Sequence, residues 1–203
     1  YGFSDPNKDP CGYRAVGVIA LASLYYNKPY IVNKLVRNKL TNTNMTIQGG
    51  KLIISIKPSI STRGNLVIRP KSVDLIALLE VGALDYAFEY RSVAIQHKLR
   101  FIELPREINL RDPSMNEFYS KVVVKILVGT NKEKSIPMES IVYGVTIPKT
   151  SKNKELAIKF IDLLLSDVGR DIFENLGQKY LDRPFGYGAI PSEFRSKVEI
   201  IGQ

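Results

Sequence analysis

An acidic residue set directly before a proline, at the head of an apolar run, is the most chemically suggestive feature of this chain: Asp9-Pro10-Cys11-Gly12-Tyr13-Arg14, then Ala15 to Tyr26. Asp is a favoured N-cap, and Pro suits the first helical position because its missing N–H would have had no partner there. A helix is therefore predicted to begin at Pro10. Its free N–H groups and positive dipole end face the space before Cys11 and Gly12, and Gly12 would let a ligand approach the backbone. Such a terminus could hold an anion, or Asp9 could be a helix cap and nothing more. A second carboxylate, Glu89, closes the run Ala83-Leu84-Asp85-Tyr86-Ala87-Phe88-Glu89, which alternates as a strand does. That places Glu89 at a strand's C-terminal end, where open α/β sheets hold their ligands.

Other chemistries have less to stand on. Asp9 and Glu89 could form a general acid/base pair of the glycosidase kind, but the chain has no tryptophan on which a sugar would stack. Cys11 is the only cysteine, so neither an intramolecular disulfide nor a cysteine-rich metal site is possible, and it reads as a small packing residue. The sole histidine, His97, lies in a polar segment with no nucleophile beside it. There is no phosphate-cradling GxxxxGK[ST] loop and no GxGxxG loop. The net charge of +9 comes from 29 Lys and Arg spread along the whole chain rather than clustered or interleaved with aromatics. This argues against nucleic acid and for a solvated basic surface that would draw in a small dianion.

The elements that must carry these residues follow from periodicity. The first helix should run from Pro10 to Tyr26 and stop before Pro29, with a second helical piece from Ile31 to Asn38. From Met45 to Arg69 the residues favour strands, Leu52–Ile56 and Leu66–Ile68, in a hairpin or extended insertion. Ser72 is expected to cap a helix from Val73 to Val81 closed by Gly82, and a brief helix is expected from Ser92 to His97. Strands are expected at Arg100–Leu104, Tyr119–Val128 and Ser140–Pro148, the last two flanking a hydrophilic loop from Gly129 to Glu139. An amphipathic helix from Asn153 to Leu165 would turn Leu156, Ala157, Phe160, Ile161 and Leu164 inward, and another would start at Asp167 and stop at Gly177. The tail from Tyr180 to Gln203 shows little periodicity. Strands alternating with helices argue for α/β layers, and at 203 residues of ordinary globular composition the chain could form one large domain or two small ones.

Three blocks in order, SDPNKDPCGYRAVGVIALASLYY, VDLIALLEVGALDYAFEYRSVAIQH and IVYGVTIPKTSKNKELAIKFIDLLLS, resemble the tungstate/molybdate-binding proteins of archaeal-type ABC transporters. The resemblance implies the two-lobed type II solute-binding fold, with mixed sheets flanked by helices. Residues 1–104 would be the second lobe with its hinge strand, 105–180 the returning part of a first lobe left incomplete, and 181–203 a tail. It implies two carboxylates, Asp9 and Glu89, that reach the oxyanion's central metal atom, with Cys11, Gly12, Tyr13, Tyr90 and Arg91 as hydrogen-bonding or supporting residues. Arg14 and Arg91 could neutralise the site's negative charge, or pair with Asp5 and Asp85. The implied protein is no enzyme and needs no cofactor beyond its ligand. It would be a monomer partnered by a permease, extracellular or periplasmic, and held at the membrane through a segment preceding this chain, which would then be a fragment. Within the same fold, a receptor for sulfate or phosphate and a ligand-sensing regulatory domain are the alternatives.

Overall fold

Residues 1–202 are described in a computed structural model of the chain; Gln203, the last residue of the expected tail, lies outside the described residues. The chain divides into two compact units, Tyr1–Tyr90 with Ile102–Val142, and Arg91–Phe101 with the chain from Tyr143 onward. These units do not follow the boundaries at 104 and 180 inferred for the lobes. The physical reason is strand pairing: residues 122–126 hydrogen-bond to residues 52–55 and so belong with the first unit.

The first unit is built on helix α1 (Pro10–Tyr25), whose apolar residues fall on every side, so that ten of its sixteen residues are buried. A helix apolar all round belongs inside a core rather than on a surface. It ends in a Schellman turn: Asn27 takes a φ of +50°, Lys28 N–H donates to Ser23 O and Asn27 N–H to Leu24 O. A short helix α2 (Tyr30–Val32) continues into a π-turn over Asn33–Arg37.

Two sheets flank α1. The larger has the strand order β2 (Thr43–Gln48), β3 (Lys51–Ile56), β5 (Val122–Ile126), β6 (Lys134–Pro137), and β4 (Val67–Arg69) belongs to the other. β2 and β3 form an antiparallel hairpin with Gln48 opposite Lys51. Gly49 and Gly50, both at positive φ (+55° and +74°), make the two-residue turn whose twist matches the strands. The expected hairpin partner, Leu66–Ile68, goes elsewhere. β3 and β5 pair in parallel, Ile54 opposite Val124, and their apolar residues join α1 in one core with Phe3, Val16, Leu21, Tyr119 and Met138.

The smaller sheet positions the candidate site. β1 (Gly2–Ser4) pairs in parallel with β4. On its other side β1 holds residues 86–88 through a parallel bridge between Gly2 and Ala87, with Gly2 N–H donating to Tyr86 O and Phe88 N–H to Gly2 O. The expected strand 83–89 is therefore only this short extended segment, because β1 is three residues long and offers no more partners. Between β4 and residues 86–88 runs helix α3 (Asp74–Glu80), closed by Gly82 at a φ of +70°. Ser72 does not cap it with its side chain; its N–H is committed elsewhere.

Two further expectations differ. Residues 100–104 form no strand, and residues 140–148, which cross from this unit to the next, are irregular. The strand after β5 falls instead inside the hydrophilic stretch, at β6, an edge strand with one face in water and hence no need of an apolar sequence.

The second unit comprises α4 (Arg91–Gln96), α5 (Lys154–Leu164), α6 (Asp167–Asn175) and a short parallel pair, β7 (Phe185–Gly186) with β8 (Glu199–Ile200). Ser166 caps α6 by accepting from Gly169 N–H, and Gly177 follows its end at a φ of +79°. Of the stripe expected to turn inward on α5, Ile161 is buried and Ala157 and Leu164 half-buried. Leu156 and Phe160 are 64% and 56% exposed, so that part of the stripe is uncovered. The tail is more ordered than its sequence suggests, for β7 and β8 enclose a 3-10 turn that buries Phe194, and Val198 is buried beside it. No helix among the described residues is long and apolar enough to cross a membrane.

Candidate functional site

β4, β1 and residues 86–88 run parallel in that spatial order, and the chain visits them in the order β1, β4, 86–88. It leaves β1 to one side and returns to the other, which makes β1 a topological switch point; ligands of open α/β sheets sit outside the carboxyl ends of the strands at such a point. Three loops leave those carboxyl ends. They carry Asp9 after β1, Ser72 after β4 and Glu89 after residues 86–88.

The loop after β1 is held as a compact knot. Asp5 accepts from Asn7 N–H through Oδ1 and pairs with Lys8 at 3.4 Å through Oδ2, while its carbonyl takes the N–H groups of Lys8 and Asp9. Asn7 ties the knot to the larger sheet, donating Nδ2 to Lys57 O at 2.9 Å and accepting Leu127 N–H through Oδ1 at 2.8 Å. Asp9 then caps α1: Oδ1 accepts Cys11 N–H at 3.0 Å, and Oδ2 accepts Ser72 N–H at 2.7 Å. An ionised carboxylate offers about four lone-pair positions, so each oxygen keeps a lone pair beyond the bond it accepts.

The N–H groups expected to receive an oxyanion are engaged here: Cys11 N–H on the Asp9 carboxylate and Gly12 N–H on the Asp9 carbonyl at 3.0 Å. Gly12 has a packing task. A Cβ there would lie 2.2 Å from Ser4 O and 2.8 Å from backbone atoms of Asp5 and Pro6, so the absent side chain is what lets α1 start against the end of β1.

Glu89 lies on the opposite side of the switch point, its Oε2 accepting Tyr90 N–H at 2.8 Å. The buried Cys11 sits in the field of both carboxylates. Burial first, then the negative charges of Glu89 and Asp9, push its thiol pKa up, so it is a neutral S–H donor; it points at Phe88 O, 3.6 Å away. The Tyr90 phenol also keeps its proton at ordinary pH. Burial pushes its phenol up to about 12 against the pull of Arg14, whose Nη1 donates to the hydroxyl at 2.6 Å. The Arg14 guanidinium lies over the rings of Tyr13 and Tyr90, 5.5 and 5.8 Å from their centroids. Burial works against its charge, yet the Tyr90 hydroxyl and the neighbouring fields raise its pKa further.

The first unit thus brings together Asp9, Cys11, Gly12, Tyr13, Glu89 and Tyr90, with Tyr13 half-buried against the core. Arg91 is the first residue of the other unit, where its Nη1 donates to Gly177 O at 2.9 Å. Arg14 does not pair with Asp5, since Lys8 takes that carboxylate. Sequence reasoning missed Ser72 as the second partner of Asp9 and Arg14 as the partner of Tyr90. Neither had a local signal, because the partners lie 63 and 76 residues apart along the chain.

The model of a protein family described as "Bacterial extracellular solute-binding protein" matches residues 1–178. A Staphylothermus marinus protein described as an uncharacterized solute-binding protein is 53% identical over 200 residues, 97% of this chain and 56% of its own length. The molybdate/tungstate-binding proteins WtpA of Pyrococcus abyssi and Thermococcus kodakarensis are 48% and 46% identical over 200 and 201 residues. Both matches cover 98% of this chain and 56% and 54% of those proteins, so the chain spans about half the length of these curated relatives.

Proposed function

The chain belongs to the bacterial extracellular solute-binding protein family, and from that premise we propose that it carries the oxyanion site of an ABC-transporter receptor for tungstate or molybdate. The observation that carries the reading is the pair of carboxylates, Asp9 and Glu89, on the two sides of the switch point at β1. Carboxylates repel an ordinary oxyanion. They suit a d⁰ metal oxyanion, because tungsten and molybdenum accept further oxygen ligands beyond their oxo groups and pass from tetrahedral to octahedral coordination. Sulfur in sulfate cannot expand in this way, so the same carboxylates reject the abundant competitor. The relatives named for molybdate and tungstate support this choice of ligand.

The metal is cargo, and the protein performs no covalent chemistry on it and needs no resident cofactor. Capture works by closure of two lobes of the type II kind around the anion, and the closed monomer is what the permease recognises. The receptor acts outside the cytoplasm, attached to the membrane. Its charge of +9 speeds the approach of a dianion in a manner weakened by salt.

One observation favours a second reading. Both oxygens of Asp9 accept backbone N–H groups, which is what a helix cap alone would show, and a sulfate or phosphate receptor would then be the alternative. Calorimetric titration of the full-length protein with tungstate and then sulfate separates the two. Tight tungstate binding without a sulfate response, abolished in Glu89→Gln, supports coordination by carboxylate. Sulfate binding that survives or improves in Glu89→Gln would sink it.

A further inference from the structure

Sheet hydrogen bonding stops at Phe88, whose N–H donates to Gly2 O at 2.9 Å and whose ring packs edge-on against Phe3, with centroids 6.4 Å apart. Glu89 and Tyr90 lie past that last rung. Two contacts that hold the chain there come from the first turn of α1. The Cys11 thiol donates to Phe88 O at 3.6 Å, and Arg14 Nη1 donates to the Tyr90 hydroxyl at 2.6 Å. Residues three apart on a helix share a face, so one face of α1 grips the residue before Glu89 and the residue after it. The same turn begins at Asp9, whose carboxylate is fixed by Cys11 N–H and Ser72 N–H. Asp9 and Glu89 are therefore referenced to a single rigid element.

We propose that Cys11 and Arg14 are positioning residues that set the spacing of the Glu89 and Asp9 carboxylates, and through it the selectivity of the site for an expandable metal oxyanion over sulfate. The proposal rests on the tungstate/molybdate reading given above. Its physical basis is the shortness of metal–oxygen bonds. A coordinating constellation has to be held to within roughly 0.5 Å, whereas hydrogen bonding to a tetrahedral anion tolerates more slack. Loosening the grip costs coordination first. Arg14 also has the form this task needs: its planar guanidinium lies near the Tyr13 ring, 5.5 Å from the centroid, and its N–H groups form a rigid fork, one arm of which meets the hydroxyl.

The test uses full-length wild-type protein and the variants Tyr90→Phe, Arg14→Gln, their double variant, Cys11→Ala and Cys11→Ser. Tungstate and sulfate affinities are measured by calorimetry, the oxygen coordination of bound tungsten by L-edge X-ray absorption, and folding by thermal unfolding without ligand. Tyr90→Phe and Arg14→Gln are each expected to weaken tungstate at least tenfold and shift the metal toward tetrahedral coordination, and the double variant to be no worse than either single one. Cys11→Ala is expected to weaken binding, and Cys11→Ser, which keeps a donor for Phe88 O, to restore most of it. A merely structural role would lower the unfolding temperature and leave the coordination of the folded fraction octahedral. Wild-type binding with octahedral tungsten that persists unchanged in Tyr90→Phe and Cys11→Ala overturns the proposal and leaves the receptor reading intact. Wild-type protein that ignores tungstate overturns both.

Discussion

Replacing Gly12 by alanine tests how α1 meets β1, and it separates two roles for this glycine. The added Cβ would lie 2.2 Å from Ser4 O, about 1.2 Å short of an ordinary contact, and 2.8 Å from the carbonyl carbon of Asp5 and the nitrogen of Pro6. These atoms are backbone, and Ser4 is a fully buried member of β1, so no flexible side chain can yield. The start of the helix has to lift away from the strand. Overpacking of this kind costs about 1–3 kcal/mol, and the rigid surroundings place Gly12→Ala at the upper end. At roughly 2–4 °C per kcal/mol for a chain of this size, a cost of about 3 kcal/mol lowers Tm by roughly 6–12 °C. The assay is thermal unfolding of the ligand-free protein followed by circular dichroism. If Gly12 served only to admit a ligand, Gly12→Ala would lose binding and keep its ligand-free Tm. A Tm within about 2 °C of wild type would refute the packing argument.

Asn7→Ala removes two hydrogen bonds that reach Lys57 and Leu127 and leaves a part-buried N–H of Leu127 without its acceptor; a loss of about 1–3 kcal/mol is expected, read as a lower urea midpoint at unchanged m. The Cys11 thiol is pushed up from its ordinary 9.0 by burial and by Glu89 and Asp9, so above that pH the unfolded chain ionises while the folded one keeps its proton. Stability should fall as pH rises from about 9 toward 10, with this group contributing a slope of at most about 1.4 kcal/mol per pH unit; subtracting the urea-melt profile of Cys11→Ser isolates it, and identical profiles for the two proteins would contradict the assignment.

The parts of the fold that were legible in the sequence are those written locally. Asp9-Pro10 marks the start of α1, Gly82 and Gly177 sit just beyond helix ends at positive φ, and the stripe of α5 has helical spacing. What failed was partner choice. Leu52–Ile56 reads as a strand, but the turn that pairs it lies on its N-terminal side at Gly49-Gly50, so β2 and not Leu66–Ile68 is its hairpin partner. Residues 134–137 escaped notice because an edge strand facing water carries Lys134 and Ser135 as readily as valines. The exposed Leu156 and Phe160 show that periodicity says which face of a helix is apolar and not what covers it. At the candidate site, the two carboxylates stand out as residue types in motifs. Their supports were not: Ser72 is recruited by a backbone N–H, which every residue but proline possesses.

The brevity of β1 bears on how the candidate site is assembled. Its two neighbours, residues 67–69 and 86–88, emerge from the folding chain long after it, and the ties at Asp9, Cys11 and Arg14 span 63, 77 and 76 residues. Each tie closes a long loop, an entropic cost met before any contact rewards it. The candidate site is thus assembled wholly from long-range contacts, as is the pairing of β3 with β5, where Leu52 lies opposite Val122.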